Sequence, residues 1–139
     1  MTRKNFRILL VLSWLLVIAG VVVSFATKNS LPSELQSYLE RVENAPLTNG
    51  EIVLAVVDIT FVVFAIVLTV GLYRFRRWAK TLLPVSYVLG LVLIPVNGPY
   101  VESGWVSILF YSGSLMDGII LALVYFSPLK EFFETNGDV

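Results

Sequence analysis

The stretch from Ile52 to Tyr73 reads IVLAVVDITFVVFAIVLTVGLY, and its only charged side chain is Asp58. A soluble helix of that length would show a polar face at a period of 3.6 residues. This stretch is apolar all round, and it is as long as the roughly 20 residues needed to cross the hydrocarbon core of a bilayer. Ile8 to Ala26, Thr81 to Val96 and Trp105 to Phe126 repeat the pattern. Thr81 to Val96 is short, but it suffices once Trp78 and Ala79 are counted and Lys80 extends to the head groups. The chain has 139 residues, 57% apolar and 14% charged, against about 25% charged in a soluble domain. These features predict one all-α integral membrane domain, an antiparallel bundle of four transmembrane helices with spans at about 6–27, 51–73, 78–97 and 105–126.

Orientation follows from the basic residues flanking the spans. Arg3, Lys4, Arg7, Arg74, Arg76, Arg77, Lys80 and Lys130 fall on one side, and only Lys28 and Arg41 on the other. Both termini are therefore expected in the cytoplasm, with Trp78 and Trp105 at opposite interfaces. The net charge of zero speaks against nucleic acid as a partner. A basic start, a long apolar run and Ser24-Phe25-Ala26 also resemble a secretory signal with a cleavage site. The run is longer than a usual signal core, and a retained first span is expected.

The chain has no Cys and no His, which removes disulfides, thiol and imidazole catalysis and the usual zinc sites. It also has no phosphate-binding Gly-rich loop, nucleophile elbow or metal motif. No enzyme activity, cofactor or metal is expected.

Between the first two spans, SLPSELQSYLERVEN predicts a short amphipathic helix at about 31–44. Ser33 and Gln36 have capping-box spacing, and Leu31, Leu35, Tyr38, Leu39 and Val42 share a face. Thr48 or Asn49 is expected to cap the second span. YRFRRWAK must make a tight turn, and its Arg74, Arg76, Arg77 and Lys80 are candidate contacts for anionic lipid head groups. Pro84 is expected near enough to the start of the third span to cost little, and PVNGPY to turn sharply after it. In the tail, Leu129, Phe132 and Phe133 suggest a short interfacial helix stopping at Asn136-Gly137. The RFRRWAK turn and the DGIILALVYFSPLKEFFE ending look generically like those of small four-span bacterial inner-membrane proteins, without a family-specific motif. A bacterial cytoplasmic membrane is the expected location.

An acid inside a span costs about 2.5 to 3.5 kcal/mol on insertion scales, so it is expected to face other helices. Counted at about 1.5 Å per residue, Asp58 lies about 9 Å and Asp117 about 18 Å below the outer boundary. The difference in depth speaks against an aspartic dyad. No Lys or Arg lies at the depth of either acid, so one or both are expected to be uncharged and hydrogen-bonded, to a backbone carbonyl or to Ser86, Thr60 or Ser114 on a neighbouring helix. Proton or cation passage and pairing with a partner's basic residue are the competing roles. Both returning helices carry one acid, which leaves an ancestral repeat open. Gly20, Ser24, Gly113, Ser114 and Gly118 are candidate close-contact positions between helices. The expected role is a non-enzymatic scaffold or accessory subunit that packs against itself or another membrane protein in the lipid bilayer. The alternative is a small proton- or cation-coupled transporter using Asp58 and Asp117.

Overall fold

The computed structural model describes residues 2–27, 31–46, 48–98 and 101–135. Lys28, the Pro99-Tyr100 part of the expected turn and the Asn136-Gly137 helix stop lie outside them. The described residues form six helices and no strand: α1 (Arg3–Thr27), α2 (Ser33–Glu43), α3 (Asn49–Tyr73), α4 (Arg77–Val96), α5 (Gly104–Phe126) and α6 (Lys130–Thr135). Helices α1, α3, α4 and α5 are long and apolar enough to cross a membrane. In the most apolar part of α3 only 6% of residues are buried within the chain, and 17% in each of the other three. Apolar side chains outside and little buried inside is the pattern of helices solvated by lipid.

Helix ends show why the elements stop where they do. Thr48 caps α3: its Oγ1 accepts from the Glu51 backbone N–H at 3.3 Å, while its own N–H donates to Glu51 Oε2 at 2.7 Å. At the other end of α3 the Arg76 N–H donates to Gly71 O and the Phe75 N–H to Leu72 O, the two bonds of a Schellman stop. The left-handed position usually held by Gly is here Phe75, at φ 55°. Its ring is almost wholly buried, which offsets the strained backbone. The turn is tight enough that a Cβ on Gly71 would come within 2.6 Å of the Trp78 ring.

One expectation about a helix end is corrected. Helix α2 starts after Pro32, and the Ser33–Gln36 capping box does not form; Gln36 Nε2 donates back to Leu31 O at 2.6 Å. Pro84 lies early in α4, where it leaves the Lys80 carbonyl without its helical donor. The Tyr125 hydroxyl of α5 supplies a replacement at 2.7 Å.

The buried core sits at the end of the molecule that carries the basic residues. Phe6, Leu72, Phe75, Ala79, Val124, Leu129 and Phe133 are all at most 2% exposed. The Phe6, Phe75 and Phe133 rings meet at centroid distances of 5.1 to 6.2 Å. In the tail, Leu129 and Phe133 are fully buried in this core and close that end of the helices. Away from that end, α1 and α5 stay in close contact. A Cβ on Gly20 would fall 2.9 Å from the Phe110 ring, and buried Gly113 faces Val17. Small residues at both places let the two backbones approach. In contrast, the buried residues of α3 and α4 all lie in the half nearer the basic end.

Candidate functional site

Asp117 is on the face of α5 that turns toward α1, between buried Gly113 and Ile120. Its Oδ1 accepts a hydrogen bond of 2.6 Å from the hydroxyl of buried Ser13. The Tyr87 hydroxyl of α4 donates to the Asp117 backbone carbonyl at 2.9 Å. One residue thus ties α5 to both α1 and α4. The register is set at the far end, where Thr27 and Ser103 share a hydrogen bond of 3.0 Å. Ser13 lies fourteen residues before Thr27 and Asp117 fourteen after Ser103, so each is about 21 Å along its helix at about 1.5 Å per residue.

Ser13 is therefore the partner, and the three side chains expected in that role are elsewhere. Ser86 Oγ donates to Leu83 O at 2.7 Å and Thr60 Oγ1 to Val56 O at 2.7 Å, each within its own helix. Ser114 is exposed and lines a separate cleft near Ser24, Glu102 and Tyr111.

Ser13, Asp117, Ser86 and Tyr87 border an apolar cleft of about 510 Å³ between α1 and the α3/α4 pair. Across the cleft, Trp14 Nε1 donates to Thr69 Oγ1 at 3.0 Å, which in turn donates to Ala65 O at 2.8 Å. Its remaining walls are aliphatic and aromatic, among them Val17, Ile18, Phe61 and Leu68. Among the described residues no buried side-chain polar atom lacks a hydrogen-bond partner. Nor does any group of three Asp, Glu, Cys or His side chains come together that could hold a metal ion.

Asp58 is placed differently. Its Oδ1 accepts from Asn97 Nδ2 at 3.1 Å, and Asn97 is the residue that ends α4. Asp58 is thus level with the mouth of the α3/α4 pair, and the two acids are not brought together.

Of the candidate packing positions, Gly20 and Gly113 lie inside the α1/α5 contact. Gly118 is exposed, with open space where a Cβ would be, and Ser24 is exposed as well. Ser24 lines a cleft beside Val106 and Phe110 of α5. Of the candidate head-group contacts, Arg74 and Arg76 are exposed. Lys80 turns instead to α6, with Nζ 3.2 Å from Glu134 Oε1, and Arg77 donates to the Glu134 carbonyl.

The spacing of Ser13 from the end of its span was the signal that could have found it. A lone Ser in a helix has a ready alternative partner in its own preceding turn, so the residue type alone does not point across to α5. Comparison with known families, curated proteins and solved structures gives no match for this chain.

Proposed function

We propose that this chain is a small non-enzymatic membrane subunit that works by helix packing. Its four long helices form an antiparallel bundle in a bacterial cytoplasmic membrane. The termini and the 74–80 turn face the cytoplasm, because eight of ten basic residues gather at that end. Helix α2 lies amphipathically at the outer surface, with exposed Leu35, Tyr38 and Val42 toward the lipid.

The observation that carries this reading is that Asp117 and Asp58, the acids inside the apolar runs, are each hydrogen-bonded to a side chain outside their own helix, Asp117 to Ser13 and Asp58 to Asn97. Acids used as ties between helices do not form a path, and they stand at different levels. The partner's helix docks on the outward face of α5, where Ser114 and Gly118 stand four residues apart beside exposed Tyr111 and Leu115. Small residues at that spacing allow close approach of a second helix.

The test is purification in mild detergent with identification of everything retained. A stable complex, with a second copy or with another membrane protein, is expected. Gly118→Leu should weaken it at least about tenfold, the loss expected from about 1.4 kcal/mol, with thermal stability unchanged. A clean monomer contradicts the proposal. Proton flux in liposomes that is abolished by Asp117→Asn would establish the transporter instead.

A further inference from the structure

At the basic end, α1 and the last residue of α3 border a groove of about 590 Å³, lined among the described residues by three cations and no carboxylate. Arg7 is held in place there. Its Nε donates to the Tyr73 carbonyl at 3.2 Å, and its guanidinium lies 4.6 Å over the Tyr73 ring. A guanidinium fixed through Nε still has its two terminal nitrogens to offer, a fork suited to phosphate oxygens. Lys4 is exposed one turn earlier. Arg3 completes the rim, its guanidinium 4.1 Å over the Phe132 ring.

Below the rim the groove is apolar. Ile8, Val11, Leu12 and Leu15 recur at helical spacing and are 44 to 56% exposed. From Lys4 to Leu15 the helix rises about 16 Å at about 1.5 Å per residue. That is close to half of a hydrocarbon core about 30 Å thick, the depth of one leaflet. Fixed cations above an apolar stripe one leaflet deep match an anion carrying a long hydrocarbon chain. A free phosphate would use the rim and leave the stripe unexplained. In the basic turn at 74–80, Arg77 and Lys80 face Glu134 instead.

We propose that this groove holds one anionic phospholipid, with its phosphate on the Arg7 guanidinium between Lys4 and Arg3 and an acyl chain along Ile8 to Leu15. The site rests on the chain's spanning a membrane and is independent of any partner on α5. Bound there, the lipid would fix the depth of α1 and brace its contact with Tyr73.

The experiment is native mass spectrometry of the purified full chain, titrated with phosphatidylglycerol or with phosphatidylcholine of the same acyl chains. One phosphatidylglycerol is expected to be retained at least about fivefold more strongly than phosphatidylcholine. Arg7→Gln and Lys4→Gln should each weaken retention about fivefold. Lys130→Gln, which removes an exposed cation from the same end, should have no effect. Lys4 is exposed at the start of α1 and makes no core contact, so Lys4→Gln keeps the test open should Arg7→Gln fold poorly. Val11→Trp, which fills the apolar stripe, should lower retention as well. Equal retention of the two lipids, an equal loss in Lys130→Gln, or displacement by millimolar inorganic phosphate would overturn the proposal.

Discussion

The basic end and the far half of this molecule are built from equally apolar helices, yet α3 and α4 pack tightly at only one of them. At the basic end the Phe6, Phe75 and Phe133 rings interlock and Leu129 closes the base. In the far half, Val53, Val56 and Ile59 of α3 and Val88, Leu91 and Val92 of α4 are all more than half exposed. Hydrophobicity does not separate the two regions, since lipid is as good a neighbour for Val and Leu as another helix. Shape and hydrogen bonds separate them. Aromatic rings and a strained turn lock the base, whereas the far half is joined by the α1/α5 contact and by polar ties, Thr27 to Ser103 and Asp58 to Asn97.

The largest effect should come from breaking the base. Phe75→Ala removes a ring fully enclosed by Phe6, Phe132 and Phe133 and should cost about 3 to 5 kcal/mol, read as a lower thermal midpoint in detergent. Phe75→Gly removes the same ring but suits the φ of 55°, so it should be milder by about 1 kcal/mol. A Gly variant no better than the Ala variant would show that the turn stores no strain.

A smaller effect is expected where a helix defect is repaired from outside. Tyr125→Phe leaves the Lys80 carbonyl, already freed by Pro84, without its donor, and should cost about 1 kcal/mol. In a Pro84→Ala background the backbone supplies the missing N–H, so the same substitution should cost much less. Equal costs in both backgrounds would mean that the hydroxyl is not compensating for the proline.

The same contrast explains what could be read from the sequence. Four spans were legible because a run apolar on every side has one stable setting, whatever its packing. Asp117 was legible as an interior residue because burying an acid against lipid is costly. Ser13 was not, because its hydroxyl has an acceptable partner within its own helix and only the depth count brings it level with Asp117. The fate of Lys80 and Phe133 was hidden for a related reason. A basic or aromatic residue near a span end suits the interface and a folded-back α6 equally well, and the choice depends on Glu134 and on the pocket around Phe6 and Phe75.

The most direct test of Asp117 as a tie between helices is a double-mutant cycle on thermal unfolding with Ser13→Ala and Asp117→Ala. A coupling of about 0.6 to 1.7 kcal/mol is expected, from the average to the largest value found for such bonds between membrane helices. Additive losses would contradict the tie and leave Asp117 without a structural role.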